Sequence, residues 1–386
     1  MRIAYVCNSP IPSNVASSIH VMRMCQALAR DHDLTLFRPS ATGPFRAAKI
    51  YEFYGVEPSF KIRRLPQPGS WTDRTLQGAR LLRWEVALRR FDLVYARCNA
   101  WRPYRVDRIG RPLIVEAHLL RQAPRIARLL RSAWVRGLVV ISDALRQDYA
   151  ATHDLGDLKV LVAHDGADPP SAAGPARLPG AAPVKCGYVG NLYGGKGMEI
   201  VIPLARRCPH VDFHVFGGSA DEVARWRATM GEAEPGNLWF HGALRPADTD
   251  AARLACDMLI APYGEVVQGV GNTGNNLVRW MSPLKVFEYM AAGRAIVASD
   301  LPTLHEVLRH RENALLVPPN DMEAWARAID GLAADADERR SLGARAHDDF
   351  VKQHSWQARA RRIMEAFRTP EPTGGSLAPS ARHIKL

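Results

Sequence analysis

The 386-residue chain has no apolar run of transmembrane length, no CxxC pair and no internal repeat of solenoid period. Its opening residues, MRIAYVCNSP, lack the basic-then-apolar order of a secretory leader. The cysteines Cys7, Cys25, Cys98, Cys186, Cys208 and Cys256 are scattered, which fits free thiols in a reducing cytoplasm. Acidic residues are the scarcer sign, 39 against 51 basic, for a net charge of +12. The excess is spread along the chain and is not interleaved with a nucleic-acid-binding motif, so nucleic acid is not expected as a partner. Anionic substrates, an anionic membrane surface and a plain compositional preference for arginine are left to explain it. No GxGxxG fingerprint follows the first strand, so a dinucleotide site of that type is not indicated.

What is present is the composition of a soluble globular protein, 47% hydrophobic and 23% charged. The length asks for two domains. Short apolar runs alternate with helical periodicity from the start. RIAYVC (2–7) is followed by SSIHVMRMCQALARD, where Ile19, Met22, Ala27 and Leu28 share a face and Ser17 or Ser18 is placed to cap, and then by LTLFRP (34–39). FKIRRLP, FDLVYAR (91–97), RPLIVEAH (111–118), GLVVIS (137–142) and LKVLVAH (158–164) continue the pattern, with a basic helix expected over 74–90. This order predicts a doubly wound parallel sheet, with ligands at the carboxyl ends of its strands. The loop 8–18 is then a substrate loop, with Asn14, Ser17 and Ser18 as candidates. His118 also stands at a strand end, and Glu116 points the same way two residues earlier. The stretch 163–184 is rich in Ala, Pro and Gly and reads as a linker.

The alternation restarts with CGYVGN (186–191) and a glycine turn, LYGGKG, in which Lys196 is set for phosphate oxygens. The most informative stretch is RWMSPLKVFEYMAAGRAIVASD, 279–300. Ser282 is a good N-cap, Pro283 a good first helical residue, and Leu284, Phe287, Met290 and Ala291 recur at helical spacing. Gly293 marks the end and AIVAS a buried strand. The helix start aims free N–H groups at the cleft in front of it, with Lys285 in the first turn and Glu288 one turn on.

SPLKVFEYMAAGRAIVASDLPTLHEVL, 282–308, resembles the donor-site signature of the family 4 retaining glycosyltransferases. The resemblance implies a GT-B fold, two Rossmann-like domains facing across a cleft, and a nucleotide-diphospho-sugar donor, UDP or GDP. It implies that Glu288 binds the ribose, that Ser282, Pro283, Leu284 and Lys285 meet the diphosphate, and that Gly190, Asn191, Lys196 and Gly218 complete the donor site. It places Asn14, Ser17, Ser18 and His118 on the acceptor and sugar side, with His118, Lys196 and Lys285 as catalytic candidates. Many relatives have a second glutamate where this chain has Trp280, and an arginine where it has Asn191. HDGAD, with Asp165, Gly166 and Asp168, resembles the family's hinge turn. The FGG at 216–218 and FHG at 240–242 match positions that flank the nucleotide base. Expected boundaries are 1–167 for the acceptor-side domain, 168–184 for the linker and 185–352 for the donor domain. A last helix at 355–368 is expected to cross back, and 369–386 has a disordered composition. No cofactor and no metal are expected, two lysines and a helix start serving the diphosphate instead. The acceptor is a hydroxyl, with lipid-linked or cell-envelope glycans as candidates. PRIARLLRSAWVR (124–136) reads either as a domain helix whose apolar face packs on the sheet with its arginines in water, or as a cationic amphipathic helix suited to the inner face of a membrane. A GT-B sugar-nucleotide epimerase and a non-catalytic glycosyltransferase-like subunit are the alternatives.

Overall fold

In the computed structural model, residues 1–39, 46–65, 84–97, 106, 109–171, 174–231, 234–267 and 276–368 are described. The first domain runs β1 (Arg2–Val6), α1 (Ala16–Ala29), β2 (Asp33–Pro39), α2 (Ala47–Tyr54), β3 (Lys61–Leu65), β4 (Leu93–Arg97), β5 (Leu113–Ala117), α3 (Pro124–Leu130), β6 (Val135–Val140), α4 (Asp143–Thr152) and β7 (Val160–Val162). Its strands pair in the order β3-β2-β1-β4-β5-β6-β7, parallel throughout. The second domain runs β8 (Val184–Val189), α5 (Met198–Arg207), β9 (Val211–Phe216), α6 (Ala220–Met230), β10 (Leu238–Gly242), α7 (Thr249–Leu254), β11 (Met258–Ala261), α8 (Leu284–Ala291), β12 (Ala295–Ser299), β13 (Leu315–Val317), α9 (Met322–Ala334) and α10 (Ala336–Asp349). Its sheet has the order β10-β9-β8-β11-β12-β13, again parallel. Strands covered on both faces explain their near-continuous apolar runs, and five of the six residues of β8 and all of β9, β11 and β12 are buried.

The last helix, α11 (Trp356–Ala366), does cross back. Its Trp356, Ala360 and Ile363, with Phe367 beyond it, pack in the first domain's core beside α1. The chain therefore passes between the domains twice, and the two passages touch. Ala167 N–H donates to the His354 carbonyl and Trp356 N–H to the Ala167 carbonyl, both at 3.0 Å. Gly166 lets them approach, since a Cβ there would stand 2.7 Å from the His354 oxygen.

Three expected elements differ. α1 begins at Ala16 with Val15 as its N-cap, so Ser17 and Ser18 fall inside the first turn and neither caps. The helix expected over 124–136 stops at Leu130 because Val135 enters the sheet beside Leu113. Its Ile126, Leu129 and Leu130 are buried in the core and Ala133 is exposed, so no apolar face is left for a bilayer. Of the basic helix expected over 74–90, residues 74–83 lie outside the described set, and 84–88 form a helical turn whose Trp84 is buried against Phe37. The stretch 369–386 also lies outside it.

Candidate active site

The carboxyl ends of both sheets face a cleft with about 900 Å³ of open space. It is lined from the first domain by Asn14, Ala16 and Ile19 and from the second by residues of six segments, which is where doubly wound sheets hold ligands. A separate hollow at the opposite, amino ends of the first sheet is bounded by Met1, Leu93, Pro112 and Met364 and contains none of the candidate site residues.

α8 is the axis of the cleft. Leu284, Lys285 and Glu288 line it together with Pro283. Pro283, not Ser282, is the N-cap, and no side chain caps the helix. The Val286 N–H is taken by the Pro283 carbonyl at 3.0 Å, while the amides of Leu284 and Lys285, the first two helical residues, have no intrahelical acceptor and lie at the cavity wall. Ser282 serves elsewhere: its Oγ accepts from the Asp165 N–H at 2.8 Å, tying the donor helix to the hinge. Gly293 closes the helix in the left-handed conformation expected of it, φ 63°.

Lys285 is buried, and its Nζ has no hydrogen-bond partner among the described residues. It lies 3.8 Å from the centre of the Tyr188 ring and 4.9 Å from that of Tyr263. Aromatic faces soften the cost of a buried cation but do not replace its hydrogen bonds. Burial, then repulsion from Lys196, holds the Lys285 amine well below its ordinary range. Burial pushes Lys196, 5.5 Å over Tyr263, down to about 8. Gly190 stands beside this pair, since a Cβ on it would lie 3.1 Å from Lys285 Nζ. Asn191, Lys196 and Gly218 line the same space, as do Phe216, Gly217, Ala243 and Leu244 at its far end. There the Phe216 ring stacks on His241 with 4.3 Å between centres.

Glu288 does not pair with Lys285. Its Oε2 accepts from Arg253 Nη1 at 3.1 Å, and Arg253 is itself buried and paired with Asp250. Trp280 and Arg279 do not line the cleft. The Trp280 indole and the Arg279 guanidinium both donate to Asp148 of α4, at 2.6 and 2.7 Å, and bind the domains together.

The first domain answers with a buried network. His118 Nε2 donates to Glu116 Oε1 at 2.7 Å and its Nδ1 accepts from Arg97 at 3.1 Å. Glu116 Oε1 also meets Arg359 Nη2 at 2.8 Å and His20 Nε2 at 3.0 Å, and its Oε2 accepts from Tyr95. His20 Nδ1 faces Asp165 Oδ1 at 2.9 Å. Burial and Arg97 push His118 down to about 4 against the pull of Glu116, so the ring is neutral, with its proton on Nε2. Burial alone would raise the Glu116 carboxyl, but Arg359 and His20 hold it well below the carboxylate range. His20, Glu116, His118 and Asp165 offer ligand atoms within 4.8 Å of one another, a set that could hold a metal ion. Here two guanidiniums, Arg359 and Arg97, already supply the positive charge. His118 and Ser17 are not among the cavity-lining residues, and Ser18 is buried with its hydroxyl on the Pro10 carbonyl at 2.6 Å. Asn14 is the sequence-derived candidate of the first domain that does line the cavity.

Residues 183–335 match the family model described as Glycosyl transferases group 1. The matched residues span the second domain. The likeness in fold extends over 95% of the chain. Sucrose-phosphate synthase from Thermosynechococcus elongatus superposes with a TM-score of 0.68 at 18% identity, over 95% of this chain and 98% of that one. An Anabaena protein, HepE, solved with UDP and glucose, does so with a TM-score of 0.65 at 18% identity, over 95% and 98%. The architecture is GT-B. In sequence, the phosphatidyl-myo-inositol mannosyltransferase of Mycolicibacterium smegmatis is 30% identical over 184 residues, 46% of this chain and 43% of that protein. The match thus spans under half the length of that relative. Among the described residues no helix is long and apolar enough to cross a membrane.

Proposed function

We propose that this protein is a retaining glycosyltransferase that moves a sugar from a nucleotide-diphospho-sugar to a hydroxyl acceptor, with UDP or GDP as the nucleotide. The observation behind the reading is the buried, unpartnered ammonium of Lys285 at an uncapped helix start, beside Lys196, in a cleft that also holds Glu288. A buried cation without a partner costs several kcal/mol, and an anion entering the cleft removes that cost. A diphosphate placed there takes both ammonium groups and the first-turn amides of α8. Negative charge grows on it as the bond from the sugar's anomeric carbon to the phosphate oxygen breaks, which makes the arrangement catalytic as well as binding. Glu288, one turn along, is set to accept from ribose hydroxyls, with the base toward Phe216, Leu244 and the second domain's outer strands.

Reaction on the front face fits these groups. The acceptor hydroxyl forms its bond on the side from which the diphosphate leaves, and its proton passes to the departing phosphate oxygen. His118, neutral and engaged at both nitrogens, shapes the sugar side of the cleft in this reading and does not act as a base. The acceptor enters past Asn14. Peripheral docking on an anionic membrane rests on exposed charge, Arg125, Arg128 and Arg131 near Trp134, which is 36% exposed, and not on an apolar helix face.

A thermal-shift panel of UDP-, GDP- and TDP-sugars tests the reading, because binding stabilises by mass action. One nucleotide class is expected to raise the Tm; no response from any sinks the donor assignment. Slow release of free sugar from that donor supports a transferase, whereas an altered sugar stereocentre supports an epimerase. Co-sedimentation with anionic and neutral vesicles at two salt concentrations tests docking: salt-sensitive binding to the anionic vesicles alone is expected.

A further inference from the structure

Glu288 alone is a poor ribose clamp. A glutamate side chain has three rotatable bonds, and holding its carboxylate in one orientation costs entropy unless a neighbour fixes it. The neighbour is 35 residues away in sequence. Arg253, on α7, reaches Glu288 Oε2 with Nη1 at 3.1 Å and Asp250 Oδ1 with Nη2. It is 5% exposed, so both arms of its fork act out of water. The other oxygen of Asp250 accepts the Ser171 N–H of the inter-domain linker at 2.8 Å. Glu288 Oε1 takes no hydrogen bond among the described residues, and the side chain keeps 23% exposure on the cleft.

We propose that Arg253 is a positioning residue for donor binding: it fixes one oxygen of Glu288 and so presents the other to a ribose hydroxyl, while Asp250 anchors the guanidinium to the linker. The inference rests on the donor-site reading above and deepens it. Charge balance alone does not account for the arrangement. Asp250 by itself would neutralise a buried arginine, yet the second arm is given to a carboxylate that lines the ligand cleft. The planar fork spans both carboxylates at once, which a lysine ammonium on a single point cannot do. The specificity the arrangement predicts is for a ribose diol, independent of base and of the transferred sugar.

The test compares UDP and GDP with their 2′-deoxy and 3′-deoxy forms by titration calorimetry on the full chain. The wild-type protein is expected to prefer the ribonucleotide of its own base over at least one deoxy form by about tenfold. Arg253→Met is expected to bring that ratio close to one while leaving affinity for the deoxy nucleotide within about twofold, and Glu288→Gln to do the same. Arg253→Lys is expected to fall between. A folded Arg253→Met protein that keeps the wild-type ratio, or that loses both affinities equally, overturns the positioning role. If Arg253→Met fails to fold, Arg253→Lys and Asp250→Asn make the same comparison, and an unchanged ratio in both overturns it. A wild-type protein without ribose preference, or a Glu288→Gln protein that retains it, overturns the assignment of Glu288 itself. That failure is told apart from failure at Arg253 by which variant departs.

Discussion

Each domain carries a cluster of charged groups, and the two are built on opposite rules. In the first domain Glu116, Asp165, His20, His118, Arg97 and Arg359 answer one another at hydrogen-bond distance. In the second, Lys285 has no hydrogen-bond partner among the described residues and lies against the rings of Tyr188 and Tyr263, and Lys196 lies over the Tyr263 ring. The paired cluster joins five parts of the chain, α1, the strand ends of β4 and β5, the hinge and the returning helix α11, so its charge is structural. The unpaired one leaves a charge that folding does not satisfy, which makes it the place for a ligand.

The largest expected effect is in the paired cluster. Arg359→Met strands Glu116 as an uncompensated buried carboxylate and is expected to cost about 3–5 kcal/mol of stability in denaturant unfolding. Nucleotide affinity of whatever remains folded should be unchanged; a variant of normal stability would break the distinction. Next is Lys285→Met, expected to lower turnover by about 10²–10³-fold with stability held or raised, since it removes an unsatisfied charge. Loss of stability together with activity would place Lys285 in the structural class. A smaller effect comes from pH acting on the ligand side. Lys196 titrates at about 8 in the empty cleft, and a bound diphosphate raises it. Nucleotide affinity should therefore fall as pH rises above 8, by at most about tenfold per unit for each lysine. Proton uptake on binding, read by calorimetry in buffers of different ionisation enthalpy, checks this. Last is pH acting on the structural side, a graded effect. His118, held at about 4, binds its proton later than in the unfolded chain, whose histidines titrate near 6.5. The unfolded state holds more protons between those values, so stability falls as pH drops from about 6.5 to 4, by about 1.4 kcal/mol per unit. His214 and His354 lie near 4 as well and act in the same direction, so His118→Gln should flatten the slope in part, not abolish it.

Most of the element order, and the body of α8 with β12, were legible because each depends on neighbours in sequence. Period, a turn glycine at Gly293 and a short apolar strand leave little choice. Gly190, Asn191, Lys196, Gly218, Leu284, Lys285 and Glu288, expected on the donor side, come together in the cleft because the order of strands places their loops at one edge. What was not legible depends on partners far off in the chain. Ser282 has the residue type of an N-cap and is diverted by a backbone amide 117 residues away. Arg253 and Arg359 look like any arginine on a surface helix until Glu288 and Glu116 arrive beside them. His20 sits within the buried stripe of α1, where nothing in the periodicity separates it from Met22 or Met24. The shortened α3 is a case of tertiary pairing overriding helical spacing, with Val135 claimed by the sheet. Trp280, in the position of a glutamate in many relatives, has become a clasp on Asp148.

The two passages between the domains have a mechanical consequence. A single strand of chain between two bodies leaves them free to bend, swivel and twist. Here the segments at Ala167 and at His354 to Trp356 are stitched side by side by two backbone hydrogen bonds, and a second connection fixes their spacing. Two tethers held in parallel resist rotation about the line joining the domains and resist shear along it. What is left least constrained is bending across the pair, along one crease. At that crease the Asp165 N–H donates to Ser282 Oγ, which ties it to the head of α8. Bending there would carry the head of α8, and Lys285 with it, along a single arc.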